Sequence, residues 1–230
     1  MANFNIKIVS DVICPWCYIG KRRLEKAIGL YQKTVPGGVD DTFTVTWHPF
    51  YLDPSLPKVG LDSKVHMANK FGPERAAMMQ TRLLAIGEAE GINFAARGKI
   101  GNTRDAHRLV QLAKTKSNAL ESNVITELFR SHIEEGGDIT SHDMLIAAGE
   151  KAGLDRSETK KWLEDGKGGA EVDREVEEAY SRGVSGVPNF TINDQYEVSG
   201  AQDPETFVQL FLRAKESAPG VSTSSKATSC

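Results

Sequence analysis

Strand-like patterns occur only near the two ends of this chain, with a long helical stretch between them. Residues 4–9 (FNIKIV) are β-branched-rich and read as a strand. Apolar residues then recur at helical spacing through 15–32, with Leu24, Ala27, Ile28 and Tyr31 on one face. Val35-Pro36-Gly37-Gly38 stops that helix, and residues 42–48 (TFTVTWH) alternate as a second strand. Residues 49–61 are rich in Pro and Gly and read as loop. From 62 to 182 the spacing is helical throughout, with candidate helices at 62–70, 73–90, 103–116, 119–135, 141–152, 156–165 and 169–182. Pro73, Thr103, Ser141 and Ser157 stand where helix starts are expected, and no strand pattern interrupts the block. Strands return at 188–193 and 195–199, joined by Asn193-Asp194 as a tight hairpin. A last helix runs from Pro204 to about Lys215, with Asp203 as its N-cap.

The order β-α-β, helical block, β-β-α predicts an α/β fold in which two halves of one small sheet are separated by an inserted helical domain. The expected divisions are 1–61, 62–182 and 183–215, followed by a Ser/Thr-rich disordered tail at 216–230.

Composition narrows the function classes. With 28 basic against 31 acidic residues the net charge is −3, which supplies no basic field for nucleic acid. No apolar run reaches the roughly 18 residues needed to cross a bilayer. The N-terminal residues MANFNIKIVSDVICPWCY lack the basic, apolar and small-residue regions of a secretory signal, so the expected compartment is the cytoplasm. Three cysteines are too few for a disulfide scaffold.

Two of those cysteines form Cys14-Pro15-Trp16-Cys17, directly after a strand and at the mouth of a helix. Cysteines three apart at a helix start can reach disulfide distance. Cys14 at the N-terminus is expected to be exposed and to face unpaired backbone N–H groups, which favour thiolate over thiol. Cys17, one turn in, is expected to be buried and less acidic. Cys14 is then the attacking nucleophile and Cys17 the resolving thiol. Pro15 suits the first turn, and Trp16 offers an apolar shelf to a substrate. Asp11 would oppose a thiolate at Cys14, and Lys21, Arg22 and Arg23 lie further along the helix, so only moderate acidity is expected. The spacing alone also admits half a zinc site or two core cysteines. Tetrahedral zinc needs two more ligands, and His48, His66, His107, His132 and His142 contain no H-x3–5-H pair.

The second motif is Gly183-Val184-Ser185-Gly186-Val187-Pro188-Asn189-Phe190, where a proline opens a strand. A trans proline suits that place. A cis Val187–Pro188 bond would leave the Val187 backbone free to pair with an extended substrate.

Together these motifs resemble the thioredoxin superfamily. More narrowly, Asp11 to Lys21 (DVICPWCYIGK) is similar to the DsbA-type, FrnE-like oxidoreductases. So are Asn102-Thr103 with Ala106-His107-Arg108-Leu109, and Gly186-Val187-Pro188 followed by Gly200-Ala201-Gln202. The resemblance spans about residues 4–213. It implies a thioredoxin fold with an inserted helical domain and a thiol–disulfide oxidoreductase (reductase or isomerase) with Cys14 and Cys17 as redox pair. It also implies a cis Val187–Pro188 bond, with Pro188 lining the site. His107 falls in the matching segment of the inserted domain; it fits either a cleft-facing substrate contact or a hydrogen-bonded helix–helix histidine.

The same resemblance extends to kappa-class glutathione transferases and hydroxychromene-carboxylate isomerases, which carry serine where Cys14 stands. It implies no bound cofactor and glutathione as a co-substrate. The alternative it raises is a glutathione-dependent transferase or isomerase of a small aromatic, polyketide-like compound. The implied partner is a protein or small molecule bearing a thiol or disulfide; the charge and the lack of a long apolar run point to no nucleic acid and no membrane. Asp203 either caps the final helix or holds the γ-glutamyl amine of glutathione.

Three weaker features complete the reading. Glu171, Asp173, Glu175, Glu177 and Glu178 read as a solvated helix face. Met67, Met78 and Met79 fit helix core better than an apolar cleft. Cys230 reads as an inert thiol, although a mobile one would reach the site or bridge two copies into a homodimer.

Overall fold

A computed structural model describes residues 1–217. Of the expected tail, 216 closes the last helix and 217 follows it; 218–230, Cys230 included, lie outside the described residues.

The central sheet has the strand order β2-β1-β5-β6. β1 (Asn3–Ser10) pairs in parallel with β2 (Thr42–Pro49). Parallel neighbours need a crossover, and the helix α1 (Pro15–Thr34) supplies it. β5 (Asn189–Ile192) runs antiparallel on the other side of β1, with Val9 opposite Asn189. β6 (Tyr196–Ser199) pairs with β5 at the edge. Their hairpin turns at Asn193 and Asp194, whose φ angles of 52° and 55° are the left-handed values a type I′ turn demands. Because β1 is central, the chain segments that follow β1 and precede β5 meet at one end of the sheet. Both sequence motifs lie there.

α9 (Pro204–Glu216) packs against α1 and closes an aromatic cluster drawn from four elements. Phe4 stacks on Phe43 at 4.8 Å, and Tyr31 and Phe211 meet Phe4 at 5.5 and 5.2 Å. Asp203 occupies the N-cap position of α9, but its side chain makes no cap hydrogen bond. It pairs with Arg23 at 2.8 Å instead, because α1 passes within reach.

The stretch between the sheet halves holds α2 (Ser63–Phe71), α3 (Pro73–Glu90), α4 (Arg104–Lys114), α5 (Asn118–Phe129), α6 (His142–Ala152), α7 (Arg156–Glu164) and α8 (Gly169–Ser181). Ser141 caps α6 as expected, whereas α7 is capped by Asp155 rather than opened at Ser157. Two short strands do interrupt the block: β3 (Leu61–Asp62) pairs with β4 (Lys99–Ile100). Two residues are too few for alternation to register in a sequence. The helix expected over 119–135 changes character at Arg130. Residues Arg130–Glu134 form a π-helical turn, with Glu135 N–H donating to Arg130 O at 3.0 Å.

The acidic face of α8 is not wholly solvated. Glu175 accepts from Gln111 at 2.7 Å and pairs with Lys114 at 3.0 Å and His48 Nδ1 at 2.9 Å. Asp173 takes a two-pronged contact from Arg104 at 2.9 and 2.7 Å. These carboxylates face α4 and β2 and fasten α8 to both. No helix among the described residues is long and apolar enough to cross a membrane.

Candidate active site

Cys14 is the N-cap of α1, in extended backbone geometry, with Pro15 at the first helical position. Its N–H donates to Asp11 O at 3.0 Å, and its carbonyl accepts from Cys17 N–H at 3.0 Å. This turn brings the two cysteines to 3.5 Å, both as free thiols. A disulfide needs about 2.05 Å between sulfurs, so a small rotation closes the pair. No side chain caps this helix end, Pro15 has no N–H, and the Cys17 N–H turns back to Cys14 O.

The expected exposure of Cys14 is not met. It is 3% exposed and Cys17 1%. The segment ahead of β5 folds over it: Cys14 Sγ donates to Val187 O at 3.7 Å. Trp16 and Val187 are partly buried against the core cluster that contains both cysteines. The Val187–Pro188 bond is cis, as the resemblance implies.

The close approach of α1 to this segment depends on Gly20. A Cβ there would lie 3.0 Å from the Phe190 ring and 3.1 Å from Pro188 Cγ. Gly20 therefore sets how near the helix carrying the cysteines lies to Pro188.

The two thiols sit in unequal surroundings. Burial pushes the Cys17 thiol well above the ordinary range, and the hydrogen bond and charge of Cys14 push the same way. The Ser10 hydroxyl and the Asp11 backbone oppose this by less. Lys21, Arg22 and Arg23 of α1 are committed elsewhere. Lys21 and Arg22 pair with Glu25, and Arg23 pairs with Glu90 at 2.8 Å.

His107 is 3% exposed and stands behind the motif. Its Nε2 donates to Phe50 O at 3.1 Å and lies 3.4 Å from Asp11 Oδ1. Asp11, fully buried, accepts from Leu52 N–H at 2.8 Å through Oδ2. His107 and Asp11 thus join α4, the segment after β2 and the turn that carries Cys14. Neighbouring Arg108 is structural, donating to the Trp162 and Leu163 carbonyls at 2.8 and 3.0 Å.

A cavity of about 370 Å³ opens beside the motif. Ile13 and Pro15, which flank Cys14 in the chain, form part of its wall. Met67 and Met79 line it and Met78 does not, being 67% exposed. Helix core was the favoured expectation for these methionines; α3 reaches the core through Leu83 and Ile86, while Met67 and Met79 face the cavity instead. His132 also lines it, and sequence reading singled this residue out only to discount a metal site. The nearest signal is Gly136, which marks a helix end but not a π turn. Among the described residues no cluster of His, Cys, Asp and Glu is grouped to hold a metal.

A model of the DSBA-like thioredoxin domain matches residues 5–211. The uncharacterized protein YwbO of Bacillus subtilis (strain 168) is 31% identical over 207 residues, covering 88% of this chain and 93% of that protein. A probable DsbA oxidoreductase of Streptomyces coelicolor superposes with a TM-score of 0.83 at 31% identity, covering 94% of this chain and 91% of that one. The cytosolic disulfide reductase DsbM of Pseudomonas aeruginosa, solved with GSH, shares the fold at a TM-score of 0.60 and 17% identity, over 91% of this chain and 99% of that one.

Proposed function

The chain belongs to the DSBA-like thioredoxin domain family, and from that premise we propose that it is a thiol–disulfide oxidoreductase working through Cys14 and Cys17. One observation carries the reading: two free thiols 3.5 Å apart at the N-terminus of α1, the inner one held protonated by burial. Cys17 does not compete as first nucleophile, so Cys14 opens the reaction.

Cys14 attacks one sulfur of a substrate disulfide. A mixed disulfide forms and the first substrate thiolate leaves. Cys17 loses its proton and attacks the Cys14 sulfur, and the second substrate thiolate leaves. The protein ends with a Cys14–Cys17 disulfide, oxidised by two electrons, and the substrate is reduced by two. Pro15 and Trp16, which follow Cys14 in the chain, and Val187 and Pro188, from the segment whose Val187 carbonyl accepts from Cys14 Sγ, are the residues we assign to substrate contact. His107 belongs to the same site through Asp11, as a positioning residue.

We place this reaction in the cytoplasm, where the glutathione poise favours substrate reduction or isomerisation over net oxidation. Two glutathione molecules restore the dithiol and leave as glutathione disulfide. No resident cofactor is required, because the electrons are carried on sulfur. The substrate class is a protein or small molecule bearing a disulfide.

The test is reduction of insulin disulfides by glutathione with wild type and Cys14→Ser. The variant is expected to fall to the uncatalysed background. Equal rates contradict the reading. Cys17→Ser is expected to accumulate a mixed disulfide on Cys14, visible as a mass increase.

A further inference from the structure

The helices that roof the cavity bury almost nothing. α2 has no buried residue, and α3 has only Gly87 and Glu90. Met67, Met79 and Leu83 from these helices, with Phe94, instead form an apolar wall around the cavity. Its volume of about 370 Å³ is at the small end of the range for small-molecule sites, about 300–1,000 Å³.

The charge around it is one-sided. Lys64 and Arg97 line it, both exposed, and no carboxylate lines it. Among the described residues neither is in an ion pair. Their neighbours Lys70 and Lys99, by contrast, are held by Asp53 at 2.6 Å and Asp138 at 3.3 Å. The remaining titratable group in the lining is His132. Its Nδ1 donates to Gly137 O at 3.0 Å, which leaves Nε2 as a hydrogen-bond acceptor. Burial pushes its pKa down, so the ring is neutral. It sits in the π turn, a distortion often found at functional sites.

We propose that this cavity binds a small apolar carboxylic acid carrying the disulfide on which Cys14 acts, its carboxylate held by Lys64 and Arg97. The proposal rests on the dithiol reading above and specifies the substrate of that site. Two free cations with no opposing carboxylate call for an anion. The apolar wall calls for an aromatic or aliphatic body, and methionines adapt to its shape. Cys14 itself is 3% exposed and does not line the cavity, but Ile13 and Pro15 on either side of it do, so a small disulfide held there meets both chain neighbours of the nucleophile. The reaction balances as one protein dithiol plus one disulfide giving one protein disulfide, two small thiolates and two protons released to solvent.

The experiment uses pre-reduced full-length protein in single turnover with two aromatic disulfides. Dithiobis(nitrobenzoate) is a dianion and dithiodipyridine is neutral. The readout is the ratio of their rate constants. In the double variant K64Q/R97Q this ratio is expected to fall about fivefold, the size associated with two rim charges. The control R156Q/K160Q, on α7, should hold the wild-type ratio. Filling the cavity with Leu83→Trp, or with Met79→Trp should that fold poorly, should slow the aromatic acid more than it slows insulin reduction. A K64Q/R97Q ratio equal to wild type overturns the proposal and leaves the dithiol reading standing. Equal slowing of insulin and the aromatic acid also overturns it, in favour of a protein segment in the cavity. Failure of wild type to release two thiolates from either probe removes the dithiol reading itself.

Discussion

The motif lies between two regions built by opposite means. On the sheet side, Phe4, Tyr31 and Phe211 are at most 1% exposed and interlock with Phe43. On the cavity side, α2 and α3 rest on ion pairs. Glu90 holds Arg23 at 2.8 Å and Lys26 at 2.6 Å, and Asp53 holds Lys70 at 2.6 Å. Packed aromatic cores change shape little, whereas helices with few buried contacts open at low free-energy cost. The contrast assigns rigidity to the partners that set the reacting sulfur and adaptability to the wall that meets substrate.

The largest effect that would break this comparison is a core truncation. Phe211→Ala is expected to cost about 3–5 kcal/mol in denaturant unfolding, and Met79→Ala less than about 1 kcal/mol. Equal costs would mean that α3 is as firmly packed as the sheet side. Gly20→Ala comes next, at about 1–3 kcal/mol, because its Cβ would meet Phe190 and Pro188 at 3.0 and 3.1 Å. It should also move Val187 O away from Cys14 and raise the alkylation rate of that thiol.

Glu90→Gln sharpens the comparison locally. It weakens the contacts to Arg23 and Lys26 and should cost about 1 kcal/mol. Amide exchange along α3 should then rise about fivefold, while β1 keeps its protection. Uniform acceleration would show that the two regions open together.

A further effect is a pH dependence at the α8 anchor. Burial alone would raise the Glu175 carboxyl, but the His48 hydrogen bond, the Lys114 charge and the Gln111 amide bring it down to about 2. A depressed carboxyl stabilises the fold above its unfolded value near 4.5 and loses that contribution as pH falls towards 2. Glu175→Gln should flatten that part of the stability curve, which is measured by denaturation from pH 5 down to about pH 2.

Local signals made much of the fold legible. β-Branched residues marked β1 and alternation marked β2, and Asn193-Asp194 marked the hairpin because few other residues accept φ near 52° and 55°. The proximity of Cys14 and Cys17 followed from spacing at a helix start. What escaped depends on distant partners. Cys14 is buried because Val187, far along the chain, folds over it. Glu175 and Asp173 look like solvated charges until α4 supplies Lys114 and Arg104. His132 escaped because a π turn leaves no apolar period to read. Asp203 kept its N-cap position but gave its carboxylate to Arg23, a choice that only the packing of α9 on α1 explains.

The central claim is that Cys14 and Cys17 are a working redox couple. Its most direct test is to equilibrate the protein against glutathione buffers of graded potential and to trap the free thiols. The account predicts one reversible two-electron transition between about −270 and −120 mV, the range of catalytic dithiols. The transition should be absent in both Cys14→Ser and Cys17→Ser. A wild-type protein whose thiols show no reversible transition would contradict it.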